Sequence, residues 1–209
     1  MNSVTRRQII RAGICLGAVA IGEFTSPVRG FAAQPNIDDE ANQIAGALKP
    51  RVKRGGEADH SVEQQTIERL KQVRLKRGGL TIKERDELYE AARPLPQVAL
   101  EINFAFDSAD LLPDAIPHLE ALGQVLSRSD LKSNNILISG HTDRKGTADY
   151  NQNLSERRAD AVVDYLAKKF SLDRSNLTAV GYGFDKLKNA ADPFAAENRR
   201  VVIVNGGKP

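Results

Sequence analysis

The residues in this 209-residue chain best suited to chemistry lie between Gly140 and Arg158, in the run GHTDRKGTADYNQNLSERR. Asp143 follows a short apolar run, Ile136-Leu137-Ile138, and Arg158 lies well inside a long helical pattern. At about 100° per residue, Leu154, Ala161, Val162, Tyr165 and Leu166 share one apolar arc, and Arg158 falls within it. Its neighbour Arg157 points to the opposite side. An arginine on a core-facing stripe needs a partner for its charge. Asn151 lies one turn earlier on the same face. One carboxylate, one guanidinium and one amide can therefore converge where a strand ends and a helix begins. Two readings stand at this point: a ligand site for a zwitterion, or an internal Arg158–Asp143 salt bridge that orders the loop.

Other chemistry finds little support. His60, His118 and His141 are scattered, and the single cysteine, Cys15, lies near the start of the chain, so no metal site is expected. No G-x-S-x-G elbow is present, and Gly181-Tyr182-Gly183 lacks the rest of a phosphate loop. Asp107 and Asp143 could pose as the carboxylate pair of a glycosidase. An inward Arg158 would instead keep Asp143 ionised. No cofactor is expected.

The elements that must position these residues follow from periodicity. Val98, Leu100, Ile102, Phe104 and Phe106 alternate with polar or small residues and predict one strand. Ala115, Leu119, Leu122 and Leu126 predict a helix with Pro113 or Pro117 in its first turn. A strand over Ile136 to Ser139 follows, then a helix from about Tyr150 to Phe170 starting behind Asp149, with Gln152 at capping-box distance. Strands over about Leu177–Tyr182 and Arg200–Val204 close the pattern. Two helices alternating with strands predict a sheet with helices packed on it, its first strands being parallel neighbours if they pair directly. Phe106-Asp107 and Thr142-Asp143 both fall at carboxyl ends of strands, where α/β sheets bind ligands. The helix N-terminus at the same place favours a carboxylate.

The pattern Gly140-His141-Thr142-Asp143, Gly146, Tyr150-Asn151, Leu154-Ser155, Arg157-Arg158-Ala159 resembles the signature of the OmpA-like C-terminal domain family. Gly181-Tyr182-Gly183 and Asn198-Arg199-Arg200-Val201 extend the resemblance over roughly residues 97 to 205. It implies a β-α-β-α-β-β domain of mixed α+β class, with a mixed four-stranded sheet packed against helices. It also implies non-covalent binding of peptidoglycan through the diaminopimelate of the stem peptide, without catalysis. Asp143 would take the ammonium of that zwitterion and Arg158 its carboxylate, in a bidentate pair that lysine cannot copy. Asn151 and Thr142 would complete the shell, and Phe106 and Asp107 match a further contact region. Arg199 and Arg200 match the closing motif, one of them as a neutraliser of local carboxylates. A wall-turnover enzyme, or an envelope adaptor that binds a protein partner through residues 36–96, are the competing classes.

The rest of the chain sets the context. Net charge is +3, but residues 1–32 hold four arginines and one glutamate; without them basic and acidic groups balance at 26 each. Nothing in that balance points to nucleic acid. Residues 1–32 read as an export signal: Arg6, Arg7 and Arg11, an apolar run from Ala12 to Gly22 too short to span a bilayer, and Gly30-Phe31-Ala32 before cleavage. The Arg6-Arg7 pair resembles a twin-arginine signal. These features predict export and no transmembrane segment once cleaved; the family resemblance implies a periplasmic protein of a Gram-negative envelope, associated with cell wall and outer membrane. Residues 33–96 read as a linker with two helices, one over Ile67, Leu70 and Val73 and one opened by the Thr81–Glu84 capping box and ended near Arg93 by Pro94. Few large apolar residues there predict no independent core. Lys53-Arg54-Gly55-Gly56 recurs as Lys76-Arg77-Gly78-Gly79, read as chain breaks. Residues 97–209 form the expected binding domain.

Overall fold

Strand β2 (Ile136–Gly140) is buried along its whole length, because it lies inside the sheet and has apolar layers on both faces. The computed structural model describes residues 36–50, 60–75, 79–105 and 107–208. The expected export signal, Phe106, Lys53-Arg54-Gly55-Gly56 and Lys76-Arg77-Gly78 lie outside them. All described residues belong to one unit, Pro35–Pro209.

The sheet has the order β1-β4-β2-β3, with β1 at Gln97–Leu100, β3 at Leu177–Gly181 and β4 at Val201–Asn205. β4 pairs antiparallel with both β1 and β2, and β2 pairs parallel with β3. The mixed four-stranded sheet is thus as expected. β1 and β2 are not neighbours, however: β4 separates them, and the parallel pair is β2–β3.

Side chains alternate across the sheet. Ile136, Ile138, Val201 and Ile203 point into one core with α4 (Ala115–Leu126) and α5 (Ala148–Phe170). Leu137, Val180 and Val204 point into a second core on the other face.

That second core is closed by α2 (His60–Leu75) and α3 (Ile82–Ala92), through Leu70, Leu88 and Ala92, and by Leu95 just beyond α3. The Thr81–Glu84 capping box forms as predicted. A third helix, α1 (Ile37–Leu48), is additional to the two expected before residue 96. Asp38, Asp39 and Glu40 lie in its first turn, where carboxylates favour the helix dipole. Ala41, Ile44, Ala45 and Leu48 recur at helical spacing and are buried in the first core. Asn205 Nδ2 donates to the Leu48 carbonyl at 2.9 Å, tying the end of α1 to β4.

The strand predicted over Val98–Phe106 stops at Leu100. Its partner β4 begins at Val201, opposite Leu100, so the ladder has no further rungs. Beyond it the chain folds back on itself: Phe104 bridges to Leu111, and Leu112 N donates to Asn103 O at 3.1 Å.

The start of α5 also differs from expectation. Thr147, in extended conformation, is the N-cap, and its hydroxyl accepts from Tyr150 N. Asp149 lies in the first turn instead. Gln152 makes no capping box; its Nε2 donates to Gly181 O at 2.9 Å.

Candidate functional site

Two glycines let α5 approach the carboxyl end of the parallel strands. A Cβ on Gly140 would overlap the Ser155 carbonyl, and one on Gly181 would lie 2.5 Å from Glu156 N and 2.5 Å from Ser155 Oγ. This contact sets the first turns of α5 beside the loop that leaves β2. Between that loop, α5 and the Asn103–Leu112 hairpin opens a cavity of about 550 Å³. Thr142, Asp143, Asn151, Arg158 and Asp107 all line it, so the structure brings together every described residue singled out for the site. Tyr150, Phe104 and Arg199 line it as well.

Arg158 is half-buried, and burial lowers its pKa from the ordinary guanidinium value. Its Nε donates to the Ser108 carbonyl at 3.0 Å, and the guanidinium lies 4.8 Å from the Phe104 ring centroid. Such stacking orients the plane and favours the cation. No hydrogen bond from its two Nη groups to a described residue is present. A guanidinium held in this way at a cavity wall is suited to a carboxylate.

Asp143 is held differently from the internal salt bridge considered in sequence. No ion pair joins it to Arg158. Its Oδ2 accepts from Arg199 Nη1 at 2.8 Å, and its Oδ1 accepts from Lys145 N at 3.1 Å. Of the two closing-motif arginines, Arg199 is therefore the neutraliser. Arg200 is buried and turns elsewhere, donating to Lys186 O at 3.0 Å.

Asn151 is buried, and its Nδ2 donates to Lys145 O at 2.8 Å and Thr147 O at 3.0 Å. It braces the loop while lining the cavity. Thr142 is also buried, and its hydroxyl has no hydrogen-bond partner. Asp107 adopts a positive φ of 52° and accepts from the Tyr150 hydroxyl at 2.5 Å. That bond raises the Tyr150 pKa and, with Arg158–Ser108, clips the hairpin tip to α5.

Under the site, His141 is buried and stacks on Tyr182 at 5.5 Å, and Tyr182 meets Tyr89 of α3 edge-on at 5.5 Å. Burial first, and the Arg200 charge second, lower the His141 pKa to about 3. His141 is a neutral packing residue of the loop that carries Asp143.

Sequence reasoning did not assign roles to Tyr150, Phe104 and Ser108. Tyr150 stands in the motif, and its position one residue before Asn151 was the available signal. Ser108 acts through its carbonyl, which no side-chain pattern can mark. Among the described residues, no group of three or more His, Cys, Asp or Glu is placed to hold a metal ion, and no helix is long and apolar enough to cross a membrane.

Residues 103–200 match the OmpA family. Outer membrane porin F of Pseudomonas aeruginosa is 33% identical over 111 residues, covering 53% of this chain and 31% of that protein. Outer membrane protein A of Shigella flexneri is 38% identical over 137 residues, covering 56% of this chain and 39% of that protein. The chain thus spans about a third of the length of these curated relatives. Among solved structures, the peptidoglycan-associated lipoprotein from Burkholderia pseudomallei is 31% identical, covering 49% of this chain and 86% of that one, with a TM-score of 0.42. On these matches, residues 103–200 of the chain, which carry most of the cavity lining, form an OmpA-family domain.

Proposed function

We propose that this chain is a non-catalytic envelope protein that binds peptidoglycan through residues 97–209, exported to the periplasm by the segment 1–32 and held at the cell wall, near the outer membrane. The ligand group is the diaminopimelate of the stem peptide, whose free centre carries an ammonium and a carboxylate on one carbon. The observation that carries the reading is the Arg158 guanidinium, fixed by Ser108 O and Phe104 at the cavity that Asp143 also lines. Arg158 takes the carboxylate and Asp143 the ammonium. Asn151 holds the loop between them, and the unpartnered Thr142 hydroxyl supplies a further polar contact. The Asp107–Asp143 pair does not favour hydrolysis, because each carboxylate is already committed as an acceptor, to Tyr150 and to Arg199.

Co-sedimentation with purified sacculi, with and without competing diaminopimelate, tests this. Arg158→Ala and Asp143→Ala should each lower affinity about 30-fold or more, the range for losing one partner of a desolvated charge pair. Arg157→Ala should change it little. Equal binding by wild type and a folded Arg158→Ala variant would remove the proposal.

A further inference from the structure

The loop that carries Asp143 is held from behind as well as by α5. Its backbone is stitched to the segment after β3: Tyr182 N donates to Gly140 O at 3.0 Å, and Thr142 N donates to Gly183 O at 2.8 Å. On the other side, His141 N donates to Arg200 O at 3.0 Å. The positions of Tyr182 and Arg200 therefore govern the position of Asp143 and of its partner Arg199.

Neither anchor is fixed by the sheet alone. Tyr182 is buried, and its hydroxyl has no hydrogen-bond partner among the described residues, so packing holds the ring. That packing includes His141, stacked at 5.5 Å, and Tyr89 of α3, edge-on at 5.5 Å. An edge-to-face contact favours one ring orientation as well as one distance. Arg200 donates from Nη2 to Lys186 O at 3.0 Å, and the Lys186 backbone also bonds the His141 ring. Lys186 is in turn held by α3. Its Nζ lies 2.9 Å from Asp86 Oδ1 and 4.9 Å from the Tyr89 ring centroid.

Both routes start from one face of one helix. Asp86 and Tyr89 are three residues apart, so successive turns of α3 present them side by side. One route reaches the site through Tyr182 and His141, the other through Lys186 and Arg200. The anchoring of α3 in the second core comes from Leu88 and Ala92, which are buried, whereas Asp86 and Tyr89 are half-buried. Both residues precede the OmpA-family match over residues 103–200, so this support belongs to the helices that this chain places before it.

We propose that α3 sets the geometry of the wall-binding site, with Tyr89 and Asp86 as positioning residues that touch no ligand. The inference rests on the wall-binding reading above and adds that the affinity of the folded protein depends on α3.

The test uses the ¹⁵N-labelled full chain and the tripeptide L-alanyl-γ-D-glutamyl-meso-diaminopimelate, with affinity read by calorimetry. Tyr89→Leu removes the ring edge and should weaken binding about tenfold. Tyr89→Phe keeps the edge and should bind within about twofold of wild type. Leu70→Ala controls for stability: Leu70 is fully buried in the same core but lies against Gly206, at the other end of the sheet from His141. It should lower the melting temperature and leave affinity unchanged. The amide resonances of Thr142 and Lys145 should shift in Tyr89→Leu and stay in place in Leu70→Ala. Asp86→Lys, at a half-exposed position, sets like charges against Lys186 and decides the matter should Tyr89→Leu unfold. It should weaken binding about threefold, and Lys186→Glu in the same chain should restore it. A wild type that does not bind the tripeptide overturns the wall-binding reading itself. A wild type that binds, with Tyr89→Leu or Asp86→Lys equally tight, or with Leu70→Ala weakened as much as Tyr89→Leu, overturns this inference alone.

Discussion

Arg199 Nη1 lies 2.8 Å from Asp143 Oδ2, so the carboxylate assigned to the ligand's ammonium is already paired within the protein. Arg158, which the helix turns inward, is left to the cavity. A ligand ammonium must therefore share Asp143 with Arg199, and a ligand carboxylate meets two guanidiniums. Arg199 is half-exposed, so its removal should alter stability by less than about 1 kcal/mol. It should change selectivity instead. Without that positive charge, Arg199→Ala should shift relative affinity toward diaminopimelate with one carboxylate amidated, by about tenfold, or ~1.4 kcal/mol. Titration of both ligands by calorimetry measures the ratio, and an unchanged ratio would show that Arg199 does not act on the ligand.

Arg158→Lys should behave almost as badly as Arg158→Ala. Lysine keeps the charge but loses the fork, the Nε bond to Ser108 and the flat face over Phe104. Recovery of wild-type sacculus binding by lysine would mean that only the charge matters.

Helix α1 should be part of the domain's stability rather than a passive tether. Leu48 is fully buried and its carbonyl is held by Asn205. Leu48→Ala should destabilise the protein by about 2–5 kcal/mol, a fall in melting temperature of about 2–4 °C for each kcal/mol at this chain size. A melting temperature within a degree of wild type would place α1 outside the folding unit.

His141 links stability to acidity. Its folded pKa lies near 3 against an ordinary value of 6.5, because burial and Arg200 oppose the charged ring. Between those values the unfolded chain binds a proton that the folded one does not. The His141 contribution is therefore fully present above about pH 6.5 and is lost as pH falls toward 3, by up to about 4 kcal/mol. His141→Phe keeps a ring against Tyr182 and should flatten that part of the profile in urea titrations at pH 7, 5 and 4. An unaltered slope would assign the acid sensitivity to other groups.

The sequence revealed the sheet and the cavity lining unevenly, for physical reasons. β2, β3, β4 and α4 were legible because their apolar periods coincide with pairing and packing that do occur. β1 looked longer than it is, because alternation continues through Ile102 and Phe104 beyond its last rung with β4, Leu100 opposite Val201. α1 was not anticipated, although Ala41, Ile44, Ala45 and Leu48 recur at helical spacing behind its acidic first turn. The inward turn of Arg158 followed from helical geometry alone. The Asp143–Arg199 pair joins residues 56 apart, and no local pattern distinguishes Arg199 from Arg200. Only the fold sends one to the cavity and the other to the Lys186 carbonyl.

The last strand in chain order occupies the middle of the sheet, and this bears on when the protein can fold. Until β4 arrives, β1 has no partner, and β2 with β3 is a two-stranded pair of a kind that is marginal alone. The Leu48–Asn205 bond closes a separation of 157 residues, and contacts of that span form late. A nascent chain on the ribosome therefore cannot complete its sheet before residues 201–205 have emerged. Every shorter length exposes unpaired strand edges, the state in which chaperones bind and aggregation begins.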